Sequence, residues 1–239
     1  RAIATNDLSA LTTGQIQALS AGQLGALSTA QLKLLTASQI AAIDAADVGA
    51  LPTTSIAALT TAQVRALTPT QMAALTSAQA PKLTTAQIAA IETVDLVQLS
   101  ASALGSLGTA QVQALTASQV MALTTAQIAA LSATQVAALD GSDFALLSAS
   151  QLAHLDPTVI PTLKTAQIAA LTTAQIGALS TAQIQALTTT QIQALTTAQV
   201  RALPEDSLVK LTTAQIRALE SADLRALTTA QIQALTTAQ

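Results

Sequence analysis

Residues 171–203 read LTTAQIGALSTAQIQALTTTQIQALTTAQVRAL, four turns of one eight-residue unit, L-T-T-A-Q-I-x-A, closed by the next Leu. The same phase extends in both directions. Leu11, Leu19, Leu27, Leu35, Ile43, Leu51 and Leu59 fall eight apart, and the series runs through Leu107, Leu155 and Leu203 to Leu235. From Ile3 onward all thirty positions of this column are Leu or Ile, with no insertion or deletion. Four residues after each comes a second column, in which 21 of the thirty positions are Gln and five are Asp. Ile, Val or Leu follows almost throughout. The chain thus reads over 1–239 as one continuous octapeptide array, and its start at Arg1 and end at Gln239 read as a section of a longer one.

A single long helix does not fit this period. Eight residues at 3.6 per turn overshoot two turns by about 80°, so the Leu column would wind around the helix and leave no apolar stripe. Thr-Thr in each unit would also weaken a continuous helix. The unit does fit one short helix with its own ends. Thr or Ser after the Leu is a good N-cap, and Gln three residues on completes a capping box. The Leu is then N′ and the Ile N4, the pair of a hydrophobic staple. Thr172 with Gln175, Ser180 with Gln183, and Thr188 with Gln191 are such boxes; Leu171, Ile176, Leu179, Ile184 and Leu187 are the expected core. Asp44, Asp140 and Asp156 stand in the N-cap column, where a carboxylate can accept backbone N–H bonds. Pro69 and Pro157 stand at N1, where the lost N–H costs nothing. Asp47, Asp95, Asp143 and Asp223 replace Gln at N3, where the helix dipole is expected to favour their charge. Pro81 and Pro161 fit poorly and are expected to mark irregular turns.

A helix this short does not persist alone. It must bury Leu, Ile and Ala on its neighbours, and the small column before each Leu (Ala170, Ala178, Ala186) allows close approach. The expected fold is therefore all-α: a solenoid, or superhelix, of about thirty very short capped helices whose stability adds through near-neighbour interfaces. A β-solenoid is the rival. It is disfavoured because Gly numbers eight, Asn6 is the one Asn, and Ala and Gln are poor strand formers.

Composition narrows the function. Hydrophobic residues make up 51% of the 239, yet there is no Trp or Tyr and one Phe, Phe144. That suits many identical small spaces better than one globular core. Charged residues are 9% and the net charge is -3, so no basic footprint for nucleic acid exists. A surface so weakly charged resists self-association poorly. With no Cys, disulfides and thiolate metal sites are excluded. Every octad interrupts its apolar residues, so no membrane-spanning run of about 18 exists.

Five acidic pairs are candidate sites: Asp44/Asp47, Glu92/Asp95, Asp140/Asp143, Glu205/Asp206 and Glu220/Asp223, the first three 48 residues apart. A row of carboxylates could bind Ca²⁺ through oxygen ligands, making Asp44, Asp47, Glu92, Asp95, Asp140 and Asp143 the metal candidates. The plainer reading, which the broken spacing of the last two pairs favours, is capping and solubility. Lys33, Arg65, Arg201, Arg217 and Arg225 share the variable column with Ala, Gly and Gln, as a solvent-facing column should. His154 replaces a small residue and lacks metal-binding company. No nucleophile–base–orienter set and no Gly-rich phosphate loop can be assembled, so neither catalysis nor a cofactor or small-molecule substrate is expected.

The motif LTTAQIAAL at Leu123–Leu131, with close copies between Leu163 and Leu179, resembles the octapeptide arrays of very large secreted or surface exoproteins and adhesins of Gram-negative bacteria. The resemblance covers the whole chain, with departures at Ala101–Gly108 and Asp156–Leu163. It implies an extracellular or cell-surface structural protein: a fibre, filament or adhesin stalk that self-associates. Two other readings stand beside it. The Thr columns (Thr172/Thr173, Thr188/Thr189, Thr196/Thr197) could recognise an ordered surface such as ice, or a concave face could hold protein partners. Near-identity of the octads weighs against the last.

Overall fold

A computed structural model describes residues 5–239. Ile3, the first member of the Leu column, and Arg1 lie outside the described residues. The described chain is a succession of helices of three to six residues, one per octad, and none of its residues is in a strand. This establishes the helical solenoid and removes the β-solenoid alternative. No helix among the described residues is long and apolar enough to cross a membrane.

Each regular octad has the same local anatomy. At Thr172 the backbone is extended (φ -73°, ψ 161°), and the helix Thr173–Gly177 follows. The Gln175 N–H donates to Thr172 Oγ1 at 3.2 Å, and the Thr172 N–H donates to Gln175 Oε1 at 2.6 Å. Ser180 with Gln183 and Thr188 with Gln191 repeat both bonds. At the other end the Leu179 N–H closes a tight last turn on Ile176 O at 3.2 Å. The next N-cap residue then turns the chain into another helix. No described residue has positive φ, so the chain changes direction without left-handed residues or a glycine C-cap. An octad is long enough for one N-cap, one and a half turns and an extended Leu.

Two irregular octads have a simple cause. Pro81 and Pro161 occupy the position after N4, where an α-helix needs an N–H bond to the preceding turn. Proline has none, and the octads tighten into the 3₁₀ segments Ala80–Lys82 and Pro157–Thr162. Pro69 begins its helix at N1 without penalty, as does Pro157.

Within each of two compact units the helices coil so that each rests on one three octads away. The helix Ala45–Ala50 packs on Pro69–Ala74, which packs on Thr93–Leu96; likewise Thr173–Gly177 packs on Thr197–Arg201. The chain forms two compact units, Arg1–Ala130 (described from Thr5) and Leu131–Gln239, and within each the same stacking recurs. The division falls at a member of the Leu column, with the eight-residue phase unbroken in sequence.

The core of each unit is two apolar columns. Ile176, Ile184, Ile192 and Val200 are wholly buried at N4, and Leu171, Leu179 and Leu187 are almost so. Phe144 takes an N4 place without exposure. Burying a Leu or Ile side chain contributes about 1.5–3 kcal/mol, and each octad buries two. That is what stabilises helices too short to persist alone. Coils approach closely at the variable column: a Cβ on Gly105 would lie 2.7 Å from Ala130 O, and one on Gly49 2.9 Å from Ala74 O.

Candidate functional site: a column of buried glutamines

The feature that recurs in both units is the glutamine at N3. Its carboxamide is oriented by the capping box: Oε1 faces its own helix N-terminus, which leaves Nε2 pointing away from that helix. In Gln63 the Thr60 N–H donates to Oε1 at 2.9 Å, while Nε2 donates to Leu32 O at 2.7 Å and Leu35 O at 2.9 Å. Gln119 does the same with Thr116, Ile88 and Ile91, all at 2.8 Å. Gln183 uses Ser180, Leu152 and Leu155, again all at 2.8 Å. The acceptors always include the residue 28 positions earlier, and usually the one 31 earlier.

The acceptors lie at a helix C-terminus, where α-type partners run out; the one 31 residues back, such as Leu32 O, also accepts the Leu35 N–H of the tight last turn at 3.2 Å. Leu35 O belongs to the extended residue that ends one octad, and Leu32 O to the last turn before it. One glutamine therefore caps the N-terminus of its own helix and the C-terminus of a helix one coil below. The side chain is almost fully buried, with Gln167 and Gln183 at 0% exposure. A buried amide is tolerated only when both its ends are satisfied, and here three bonds do that.

The sequence reading assigned Gln to the capping box alone and missed the contact between coils. One signal was available. Glu serves a capping box as well as Gln does, yet Glu92, Glu205 and Glu220 are the three Glu residues and none stands at N3. A box that rejects Glu throughout is selecting for a donor as well as an acceptor.

Where the column departs from Gln, the chemistry changes. Asp47 cannot donate, and its Oδ1 instead accepts the Ala21 N–H at 3.0 Å from the coil below. Ser207 pairs with the Thr181 hydroxyl at 3.2 Å. Asp95 is buried and gives no donor to Val64 O or Leu67 O, the carbonyls a Gln would bind there. Burial, and secondarily the nearby Glu92 charge, pushes its carboxyl above the usual range. Burial, then Asp140, raises Asp143 likewise. At Asp95 and Asp143, then, loss of water works against the charge that the helix dipole was expected to favour. Asp223 accepts the Glu220 N–H at 3.2 Å.

The N-cap aspartates act as caps. Asp44 accepts the Ala46 N–H at 2.8 Å. Asp140 accepts the Asp143 N–H and the Ser142 hydroxyl, both at 2.7 Å, and these bonds hold its carboxyl below the usual range. Asp156 accepts the Thr158 hydroxyl and N–H, with the same effect. Glu92, Glu205 and Glu220 make no side-chain cap, contrary to the capping role read for every pair. Their longer side chains extend into water.

The six calcium candidates are not gathered into one site. The helix Pro69–Ala74 lies between the octads of Asp44/Asp47 and Glu92/Asp95, because a 48-residue spacing is two coils and not one. Among the described residues no three His, Asp or Glu side chains come together as a metal would need. Lys33, Arg65, Arg201, Arg217 and Arg225 are exposed, as a solvent-facing column should be. Arg201, Glu205 and Asp206 line an open groove of about 390 Å³. His154 ends its helix with Nδ1 2.7 Å from Ser150 O; a carbonyl only accepts, so Nδ1 carries the proton. Thr172/Thr173, Thr188/Thr189 and Thr196/Thr197 are exposed. Their octads belong to different stacks: that of Thr172 lies on that of Thr196, while the helix after Thr188 packs on Thr213–Ala218.

A coil of capped octads locked by buried amides defines a helical repeat protein of the solenoid class. Within that class the chain belongs to the ALTTAQ repeat family, whose model matches residues 1–37, 40–77, 88–125, 160–189, 177–205 and 216–239. The six letters appear as they stand at Ala170–Gln175. The intervals left unmatched hold Pro81, the Asp143–Phe144 octad and Ser207, where the column chemistry departs from Gln or the helix tightens. Among curated proteins, none matches the chain.

Proposed function

We propose that this chain is a structural element, a section of an extracellular fibre, filament or adhesin stalk on the bacterial surface, without catalysis. The observation that carries this reading is the use of the most elaborate chemistry in the chain, the three-bond glutamine, to hold one coil on the next. It is spent on cohesion and faces no cleft. The octads between are nearly identical, which suits a spacer whose length scales with octad number and gives a specific ligand little to read. The low surface charge favours lateral packing.

Immunogold labelling of intact producing cells tests the reading, with cells opened in parallel. Label on projections outside intact cells supports it. Label that appears only after the cells are opened refutes it.

Surface recognition through threonine is the second reading, favoured by the exposure of both Thr residues in each pair. Thr172 Oγ1, Thr188 Oγ1 and Thr196 Oγ1 already accept backbone N–H bonds, and the pairs are shared among stacks. A thermal-hysteresis measurement decides it, and no hysteresis is the outcome expected.

A further inference from the structure

The glutamines that tie coil to coil are unevenly spread, and the gaps come two to a coil. In the first unit Gln63, Gln71, Gln79 and Gln87 fill four consecutive octads, each donating Nε2 to the coil below. Asp47 and Ser55 precede this run; Asp95 and Ala103 follow it, and Gln111, Gln119 and Gln127 then resume. In the second unit Gln167 to Gln199 fill five consecutive octads, and Ser207, Gln215 and Asp223 come next. With helices stacked three octads apart, three consecutive N3 places serve one interface between coils. Gln71, Gln79 and Gln87 seal one such interface together, as do Gln183, Gln191 and Gln199. Gln63, Gln111 and Gln215 each serve theirs alone.

The substitutes do not replace what is missing. Ala103 has no polar side-chain atom, so Met72 O and Leu75 O receive nothing from it, and an ionised Asp95 has no proton to give. Asp47 takes one N–H, that of Ala21, and Ser207 shares one bond with the Thr181 hydroxyl, where a glutamine makes two. The lone glutamines are not themselves poorly bound. Gln111 Nε2 lies 2.6 and 3.2 Å from its two carbonyls and Gln215 Nε2 2.7 and 2.9 Å, against 2.9 Å twice for Gln79. What differs is the company each one keeps.

We propose that the interfaces of Gln63, Gln111 and Gln215 are yielding seams, at which the array opens first while runs of consecutive glutamines move as blocks. This goes beyond the structural reading above and holds wherever the protein is located. Opening such a seam breaks one glutamine's bonds, and opening a sealed interface breaks three, so nearly identical octads acquire unequal local stability. A load carried along the array parts the seams before the sealed interfaces.

Hydrogen exchange at the glutamine side-chain Nε2 groups of the 239-residue chain tests this, because these buried protons meet water when their own interface opens. Gln111 and Gln79 are the pair to compare, since both lie in the first unit and make the same kind of bonds. Exchange at Gln111 is expected to be at least about tenfold faster than at Gln79, because each missing glutamine removes two net hydrogen bonds. Asp95→Gln should slow Gln111, and Asp95→Gln with Ala103→Gln should bring it to the Gln79 rate while Gln79 itself stays unchanged. Gln79→Ala with Gln87→Ala makes the reverse change, copies what the chain already carries at Ala103 and adds no volume; it should quicken Gln71 by a similar factor. Equal rates at Gln79 and Gln111 in the parent overturn the proposal. So does a reverse variant in which Gln71 keeps its rate, or one in which every glutamine quickens alike, as global unfolding would make it do. The cell labelling above is read independently of these rates, so either reading can fail without the other.

Discussion

Replacing Asp95 with Gln should stabilise the protein, which is unusual for a change at a buried polar position. In the parent the Asp95 carboxylate is buried, and no side-chain donor reaches Val64 O or Leu67 O. Gln at this place would reproduce what Gln63 and Gln119 do one or more coils away. Two net hydrogen bonds at about 0.5–1.5 kcal/mol each give a gain of about 1–3 kcal/mol, and relief of the buried charge adds to it. The pH dependence has a definite sign. Burial raises the folded-state pKa of Asp95 above its unfolded value. Between those two values the folded chain holds a proton that the unfolded chain releases, so this group's contribution falls as pH rises through the folded value. The advantage of Gln should therefore be larger at neutral pH than in acid, where the parent carboxyl is protonated and can itself donate. Native-state amide exchange of residues 64–67 and 95–99 reads the effect locally, which suits a repeat fold whose units open semi-independently. Asp95→Leu is the control, because it removes the charge and supplies no donor. Equal slowing of exchange by Leu and Gln would show that the bonds between coils contribute nothing, and an Asp95→Gln variant no more protected than the parent at neutral pH would refute the reasoning outright.

Three further outcomes follow from the same geometry. Gln119→Glu keeps the acceptor for Thr116 but turns a carboxylate on Ile88 O and Ile91 O; a loss of about 3 kcal/mol or more is expected, read by chemical denaturation, with Gln119→Leu costing less. Leu179→Ala should cost about 2–5 kcal/mol through the lost methyl groups and the cavity left behind. Exchange should quicken in the octads touching it and not in the whole chain; one global, cooperative collapse would contradict the solenoid energetics. Gly105→Ala puts a Cβ 2.7 Å from Ala130 O. The forced backbone shift should cost about 1–3 kcal/mol, whereas Gly14→Ala, with open space around it, should stabilise slightly by thermal melting.

Much of the fold was legible because each octad encodes its own ends. Thr172, Gln175 and Leu179 name a start, a first turn and a stop within eight residues, and Pro69 at N1 with Pro81 after N4 distinguishes an α-turn from a 3₁₀ turn by which N–H is lost. The partner of each octad was not legible. The period of eight repeats everywhere, so it carries no mark of how many octads make a turn. That number comes from the angle between successive short helices, which depends on backbone torsions at the Leu and N-cap residues. The 48-residue spacing of the acidic pairs looked like alignment in one dimension; with helices stacked three octads apart it places a whole helix between Asp44 and Glu92. The second role of Gln was hidden for the same reason, since its carbonyl partners lie 28 and 31 residues away and no local rule points to them.

The value 28 itself explains how identical octads hold a register. It is three and a half octads, so each glutamine lies over the joint between two helices below and not over the middle of one. Helix axes stack three octads apart, while polar bonds reach half an octad further. The same carboxamide also accepts the N–H of its own N-cap residue, so each glutamine ties the joint that starts its helix to the joint three octads earlier. Opening one octad releases the bonds its glutamine gives and the bonds its own carbonyls receive, but the octads on either side remain held by glutamines of their own. A slip by one whole octad would match like with like in side chains, yet it would need the chain to lengthen or shorten its turn by a third. Connectivity between neighbouring octads forbids that. Register is thus set by the short links and secured by the amides, and long stretches of near-identical sequence fold to one structure because every non-local partner is reached within about one coil of chain.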